Sequence, residues 1–163
     1  MNDSNLESEP NVRSECFSVV HSAAICPHCR ARTRVAAVLL PPGHHTRRLD
    51  DDDDGWDPAP RQALLFYVES LSEPVRRRLQ QLAPQYCFAA SAATQGSYWA
   101  NHCGHCGGIQ EDHDLFCEPH GAFVPLSSED AAAIEVVPVA ERLEAAAAGY
   151  TLDPEFMGSG PRA

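Results

Sequence analysis

The sequence predicts an α+β fold that is mainly antiparallel β-sheet with one or two short helices. Short runs of apolar and β-branched residues, separated by Pro, Gly and small polar residues, recur along the 163-residue chain and are typical of strands. Clear helical spacing of apolar residues is found at Val75, Leu79 and Leu82. Two Cys-x-x-Cys motifs, far apart and each bounded by strand-like residues, indicate a metal site around which the sheet is organised.

The predicted strands are short apolar segments that end at turn-forming residues. Residues 63–68 are the strongest candidate, because they are continuously apolar and rich in aromatic side chains. The other predicted strands are residues 16–20, 33–40, 85–90, 97–102, 107–116 and 134–139.

Two segments carry signals for the start of a helix. A serine and a glutamate precede Pro74, which suits a first helical turn, so a helix is predicted from there to Pro84. Serines at 127–128 offer an N-terminal cap ahead of the alanines at 131–133. Residues 142–148 remain open, since their alanines favour helix whereas the glycine after them and their β-rich neighbours favour strand.

The length fits a single domain with loose ends. Residues 1–15 are polar and acidic and predict a disordered tail, residues 16–157 predict one domain, and residues 158–163 predict a frayed C-terminal tail. Within the domain, residues 43–61 predict a flexible acidic loop.

The acidic loop contains an unbroken run of aspartates from Asp50 to Asp54. Densely packed like charges repel one another and stay solvated, which favours a surface loop. Calcium coordination by Asp52 and Asp54 is the alternative. The Asp-x-Asp-x-Asp-Gly pattern with a distal glutamate, however, is not in register here.

The net charge of −11 disfavours nucleic acid and anionic membranes as partners, because both are negatively charged. No apolar run reaches the roughly 18–20 residues that cross a bilayer, and the N-terminus lacks the pattern of a secretory signal. We therefore expect a cytoplasmic protein with no membrane partner. In a reducing cytosol, seven cysteines favour metal binding over disulfides.

The two Cys-x-x-Cys motifs predict one tetrahedral metal site with four thiolate ligands, Cys26, Cys29, Cys103 and Cys106. A two-residue spacer lets the backbone turn so that both sulfurs of a motif converge, with backbone N–H groups directed at the first sulfur. Four thiolates form the closed site that structural zinc prefers. The sequence thus predicts a zinc-ribbon (two-knuckle) core with one structural zinc per chain.

Two other uses of the cysteines remain open. Cys26-Pro27-His28-Cys29 resembles the dithiol of thiol oxidoreductases, but the residues after it favour a strand instead of the helix such enzymes need. Free buried thiols suit the unpaired cysteines at Cys16, Cys87 and Cys117, because cysteine is among the most buried residue types.

A second metal site is a further alternative. His113, Cys117 and His120 form a His-x3-Cys-x2-His cluster that Cys16 could complete, although nothing in the spacing fixes that fourth ligand. Three histidines lie within or next to the knuckles, and we expect them to face solvent. They are His28, His102 and His105.

Arg30, Arg32 and Arg34 follow the first knuckle at alternate positions, which places them on one face of a strand. Such a face can contact phosphate. Given the net charge, we favour a solvated face paired with the abundant acid.

One stretch of the sequence resembles a known pattern, Ser97-Tyr98-Trp99-Ala100-Asn101-His102-Cys103-Gly104-His105-Cys106-Gly107, followed by Gln110, Asp112, Pro119, Gly121, Phe123 and Pro125. It is similar to a group of small bacterial zinc-ribbon-like proteins. These carry an earlier Cys-x-x-Cys before a Thr-Arg-Val-like strand, matched here by Cys26, Cys29, Thr33, Arg34 and Val35. The resemblance implies the four-cysteine metal site and no particular activity. Cys16, Cys87, Cys117 and the aspartate run lie outside the shared pattern.

The sequence therefore predicts a non-enzymatic zinc-binding protein that serves as a protein-binding or adaptor module. Trp56, Tyr98 and Trp99 are the candidate exposed aromatic anchors for a protein partner, and packing over the knuckle is the alternative for Trp99. The alternatives are a nucleic-acid-associated zinc ribbon and a thiol-redox enzyme using a Cys-x-x-Cys pair.

Overall fold

The computed structural model describes residues 9–47, 55–91, 96–119 and 121–154. Within these ranges the chain forms eleven strands and three short helices. In chain order they are β1 (Val12–Ser14), β2 (Phe17–Ile25), β3 (Arg32–Leu40), β4 (His45–Thr46), β5 (Asp57–Pro58), β6 (Ala63–Leu71), α1 (Glu73–Leu82), β7 (Tyr86–Ser91), β8 (Gly96–His102), β9 (Ile109–Gln110), α2 (Asp112–Phe116), α3 (Ser128–Ala132), β10 (Glu135–Val139) and β11 (Leu143–Leu152).

Every strand pairing in the described part of the chain is antiparallel, which confirms the predicted character of the sheet. The main path runs β10-β2-β3-β6-β11-β1-β4-β5, and β8 joins it by pairing with β6 while carrying β7 and β9. This sheet is larger than a zinc-ribbon core. The two knuckles lie in the turns between β2 and β3 and between β8 and β9, at the ends of hairpins of this larger sheet.

The central strands β3 and β6 each contain a long apolar run where both faces of the sheet are covered. In β3, alternate side chains enter two different clusters, Val38 with α1 on one face and Leu39 with α2 on the other. Residues 64 and 65 of β6 divide in the same way. A strand buried on both faces reads as a continuous apolar run, so these strands were the easiest to predict.

The helix predicted from Pro74 is α1, and Val75 and Leu79 are buried as its spacing indicates. The cap predicted at 127–128 is Ser127, whose side chain accepts a hydrogen bond from the N–H of Asp130 at 3.1 Å. None of the three described helices has the length and apolar character that a membrane crossing requires.

The strand predicted at 107–116 is wrong beyond its first few residues. Only Ile109–Gln110 is extended, and Asp112–Phe116 forms α2. Leu115 and Phe116 are neighbours in sequence and both enter the core on the same side of the sheet, which a helix turn permits and a strand does not.

The segment left open at 142–148 is strand, as part of β11. Pairing with β6 overrides the helix preference of its alanines, three of which, residues 145–147, are buried. Gly149 allows this close pairing, because a Cβ there would lie 2.4 Å from the ring of Phe66.

The predicted tail and loop contain short strands. Residues 12–14, within the predicted tail, form β1 between β11 and β4. The segment predicted as a loop at 43–61 contributes β4 and β5, which pair with each other. The run from Asp50 to Asp54 and residues 158–163 lie outside the described residues.

Candidate metal centre

The structure brings the four predicted ligands together. The Sγ atoms of Cys26, Cys29, Cys103 and Cys106 all lie within 4.8 Å of one another. The Cys26–Cys106 and Cys29–Cys103 sulfur pairs are each 3.7 Å apart. A zinc ion about 2.3 Å from each of four sulfurs at tetrahedral angles implies S···S distances of about 3.8 Å. The cluster therefore has the size that one tetrahedral metal ion needs.

The first knuckle is the turn between β2 and β3. The N–H of Cys26 donates to the carbonyl of Ala31 at 2.9 Å, and the N–H of Arg30 donates to the carbonyl of Cys26 at 2.8 Å. Arg30 has a φ of +67°, a left-handed conformation that side-chain-bearing residues seldom adopt. These two bonds close the turn and direct both cysteines of the pair to the same side.

The second knuckle joins β8 to β9 with the same hydrogen bonds. The N–H of Cys103 donates to the carbonyl of Gly108 at 2.8 Å, and the N–H of Gly107 donates to the carbonyl of Cys103 at 3.0 Å. Gly107, with a φ of +79°, occupies the position that Arg30 holds in the first knuckle. The two hairpin turns are thus matching halves of one site.

Backbone and side-chain N–H groups point at the first sulfur of each knuckle. The N–H of His28 lies 3.3 Å from Cys26 Sγ, and the N–H of His105 lies 3.3 Å from Cys103 Sγ. The side-chain amide of Gln110 adds a donor 3.4 Å from Cys26 Sγ. Such donors favour the thiolate form, which is the form that binds metal.

The pKa values of the sulfurs differ because the four share one small volume. Burial opposes ionisation of Cys26 most strongly, but the N–H groups of Cys29 and His28 and the amide of Gln110 lower its pKa to about 6. The N–H of Gly108 favours the Cys106 thiolate, but burial and the neighbouring sulfurs raise its pKa to about 11. Four thiolates together repel one another, and a bound divalent cation removes that repulsion.

The second knuckle is tied to β3 by side chains. Thr33 Oγ1 accepts a hydrogen bond from the N–H of Gly104 at 2.9 Å. The side chain of Asn101 is fully buried. Its Oδ1 accepts a hydrogen bond from the N–H of Ala36 at 2.7 Å, and its Nδ2 donates to the carbonyl oxygen of Ala36 at 2.9 Å. Asn101 thereby occupies both hydrogen-bonding groups of one residue of β3, as a neighbouring strand would.

The roles of Asn101 and Gln110 were missed by sequence reasoning, although both lie in the quoted motif. Their partners, Ala36 and Cys26, are 65 and 84 residues away. The signal that could have found Asn101 is an amide side chain inside an otherwise apolar strand, where an unpaired polar group is costly.

The three knuckle histidines stay outside the four-sulfur cluster. His105 Nε2 lies 3.2 Å from the carbonyl oxygen of Arg32, and His102 Nδ1 lies 3.4 Å from Cys87 Sγ. The exposed ring of His28 lies over Gly108, where a Cβ would be 2.6 Å from it. The metal-ligating set therefore consists of sulfur alone.

The alternative second metal site does not form among the described residues. Within them, the four cysteines are the one group of three or more candidate ligands that could hold an ion. His113 instead lies 3.4 Å from a carboxylate oxygen of Glu118. Of its other expected members, His120 lies outside the described residues. Cys16 and Cys117, like Cys87, are exposed, so the expectation that these three thiols are buried is wrong.

The three arginines after the first knuckle do not form one uniform face. Arg30 lies in the turn, before β3 begins at Arg32. Arg34 pairs with Glu135 at 2.8 Å and donates through Nε to His21 Nδ1 at 3.2 Å. The favoured pairing with acid is thus present at Arg34.

The aromatic residues expected to be exposed are largely covered. Tyr98 is 3% exposed, and its hydroxyl donates to Glu111 Oε1 at 2.7 Å, so it is wrong as a surface anchor. Trp99 is half-buried and packs against the ring of Phe88. Trp56 is half-buried beneath the guanidinium groups of two arginines.

Comparison with models of known protein families, with curated proteins and with solved structures gave no match for this chain.

Proposed function

We propose that the chain is a non-enzymatic zinc-binding protein with a structural four-cysteine site and that it acts as a protein-binding or adaptor module. The observation that carries the proposal is the convergence of four cysteine sulfurs from two hairpin turns. Four protein ligands fill a tetrahedral ion, so no position stays open for a substrate or a catalytic water.

Zinc is the metal that this donor set favours. Thiolates are soft ligands, and a tetrahedral set of four sulfurs is typical of zinc or of iron–sulfur chemistry. A single ion fits the 3.7 Å sulfur separations of two of the pairs. Such an ion would bind the β2–β3 turn to the β8–β9 turn.

A structural role follows from how few other contacts join those turns. The pairing between β8 and β6 consists of one residue pair, Val68 with Trp99. Beyond that pair, the described hydrogen bonds that join β8 and its turn to β3 and the first knuckle are made by a few side chains, those of Asn101, Thr33, His105 and Gln110. Binding free energy at the cluster would therefore be folding free energy for this part of the chain.

A protein-binding role is supported by the surface charge and by exposed apolar side chains. The net charge of −11 opposes nucleic acid, and Arg34 is already neutralised by Glu135. Ile25, immediately before the first knuckle, is 60% exposed, and Phe88 on the terminal strand β7 is 52% exposed. Both side chains are available for contact with a partner protein.

We place the protein in the cytoplasm. The exposed cysteines outside the cluster, Cys16, Cys87 and Cys117, are free thiols. Free exposed thiols suit a reducing compartment, since an oxidising one would convert them to disulfides.

The metal proposal is tested by elemental analysis of the purified protein and of a Cys103→Ser variant. We expect one zinc per chain in the parent. The variant should lose most of the zinc and much of its stability, because three sulfurs hold the ion less tightly. Cys87→Ser is the matched control and should keep its zinc, since Cys87 is an exposed cysteine outside the cluster. Equal zinc content in both variants would contradict the assignment.

A further inference from the structure

The outer edge of β2 is only partly covered by another strand. Glu135 of β10 pairs with His21, and the pairing runs from there to Val139 and Phe17. Residues 22–25 of β2 have a partner strand on one side alone, β3, within the described part of the chain. In an antiparallel sheet, alternate residues direct their N–H and C=O groups to opposite sides. Half of these backbone groups therefore face an open edge.

A cleft of about 600 Å³ lies along this edge. The chain before β10 turns away from β2, so that residues 121–126 and α3 form one wall and the ends of β2 and β3 form the other. Ser22 Oγ donates to the carbonyl of Ala122 at 2.7 Å and holds the two walls together at one point. The volume lies in the range of known binding sites.

A neighbouring cavity lies along β2 toward the first knuckle. This second cavity of about 280 Å³ shares Gly121 and Ala122 with the first and extends past Ile25 to Pro27. The two cavities together follow the direction of the strand. This shape suits an extended chain better than a compact small molecule, since an added strand needs length along the edge.

The walls offer apolar contacts at both ends of this path. Val124, Pro125 and Leu126 line the larger cavity, and Leu126 is 56% exposed. Ile25, 60% exposed, lines the smaller one. Single exposed apolar residues are ordinary, but these border two neighbouring cavities beside an open strand edge.

Arg32 supplies a positive charge in the larger cavity. Arg34 beside it is paired with Glu135, whereas the Arg32 guanidinium has no carboxylate within 4.0 Å among the described residues. Asp130 also lines the cavity, from α3 on the other wall, and makes no ion pair with Arg32. An acidic side chain of a bound segment could therefore form an ion pair with the Arg32 guanidinium.

We propose that this cleft binds an extended segment of a partner protein, which adds as a strand to the open edge of β2. The segment places an apolar side chain against Leu126 and an acidic side chain at Arg32. Strand addition draws affinity from main-chain hydrogen bonds and specificity from the side chains that alternate along the segment. The inference rests on the proposed protein-binding function and names where and how the partner binds.

The test uses the zinc-loaded full chain and a blocked six-residue peptide of alternating valine and threonine in which one threonine is replaced by glutamate. Amide chemical shifts are followed by NMR as the peptide is added. We expect shifts concentrated at residues 22–25 and 121–126. A peptide with lysine in place of glutamate should bind about threefold to fivefold more weakly, the size of effect expected for one exposed ion pair.

Reversing the charge at position 32 of the protein tests whether the peptide's charged side chain lies beside that residue. Arg32→Glu should weaken the glutamate peptide and strengthen the lysine peptide by similar factors. The matched control is Arg77→Glu, an exposed arginine of α1 that pairs with Glu73 and does not line the cleft, and it should change neither affinity.

Several outcomes would overturn the inference. One is the absence of peptide binding, and another is an equal response of both arginine variants. A third is binding of N-acetylvaline as tight as that of the peptide, which would indicate a small-molecule site. A fourth is shifts at 22–25 that depend on protein concentration alone, which would make a second copy of the chain the occupant. The zinc content of the same samples is measured as well. A zinc-loaded protein that does not bind the peptide would contradict the proposed binding cleft and leave the proposed zinc site intact.

Discussion

At the scale of single residues, Asp112 is the most unusual side chain of the described chain. It is 1% exposed, and its Oδ2 accepts a hydrogen bond from the N–H of Tyr67 at 2.7 Å. Tyr67 lies within β6 with a φ of +51°, so the carboxyl group holds a strained turn of backbone in place. Its Oδ1 has no hydrogen-bond partner among the described residues.

Burial, with a smaller contribution from Glu111, raises the pKa of Asp112 to about 7 against the effect of the Tyr67 N–H. In the unfolded chain the same group loses its proton near its ordinary pKa of 3.8. The folded state thus binds the proton more tightly. The free energy of unfolding therefore falls as the pH rises from about 4 to about 7 and levels off above that.

Asp112→Asn should remove this pH dependence. Relative to the parent, we expect the variant to gain about 2 kcal/mol between about pH 5.5 and about pH 8, from a pKa difference of about three units. Urea unfolding of the zinc-loaded proteins at the two pH values measures it. Asp114→Asn, exposed on the same helix, is the control and should show no such gain. Parallel pH profiles for Asp112→Asn and the parent would refute the assignment.

At the scale of elements, the two knuckle turns have the same backbone hydrogen bonds but different residues at the position with left-handed φ. Arg30 holds that position in the β2–β3 turn and Gly107 holds it in the β8–β9 turn. A Cβ added at Gly107 would meet no atom within 4 Å, so a substitution there tests backbone conformation alone.

Gly107→Ala should lower the free energy of unfolding by about 1 kcal/mol, because alanine is disfavoured at a φ of +79°. Zinc content should stay at one per chain. Gly104→Ala is the control in the same turn: its φ is not left-handed, and its nearest contact, Thr33 Oγ1, would be an ordinary 3.8 Å away. Chemical denaturation of both variants decides the point. A larger loss for Gly104→Ala would mean that the space within the turn matters more than its backbone angle.

The elements also show what a sequence can and cannot predict here. Strands β3 and β6 could be predicted because a strand that is buried on both faces needs apolar residues at successive positions, and such a run is visible in the sequence. Helix α2 was missed, since it is only five residues long and its first residue is fixed by Tyr67, 45 positions earlier. The ligand cysteines were predicted from spacing, whereas Asn101 depends on a distant backbone partner that no local pattern reveals.

At the scale of the whole molecule, the cluster links two hairpins that otherwise share few strand pairs. One belongs to the main path of the sheet through β2 and β3, and the other carries β7, β8 and β9 as a branch from β6. The branch also packs against one apolar layer through Tyr86 and Trp99, so the cluster adds a second link between the branch and the main path. The seven cysteines accordingly divide into four in the cluster and three outside it.

This division predicts the reactivity of the seven cysteines. In the zinc-loaded protein, we expect a thiol reagent such as Ellman's reagent to modify three groups rapidly, the exposed Cys16, Cys87 and Cys117. After removal of zinc by a chelator, all seven should react, because the cluster thiolates are no longer held by the ion. Five rapid thiols before chelation, the number that exposure alone would give, would show that the cluster holds no metal.

The contact of two arginine guanidinium groups with Trp56 makes the fluorescence of this indole a reporter of its surroundings. Arg13 of β1 and Arg47 lie with their guanidinium carbons 4.1 and 4.8 Å from the indole ring, at the β4–β5 end of the sheet. The second tryptophan, Trp99, sits on the β8 branch beside the cysteines. Replacing one indole at a time by phenylalanine makes the emission of each region separately readable. Removing the ion with a chelator and recording which emission spectrum shifts would then show whether the loss of structure is confined to the β8 branch or extends across the sheet.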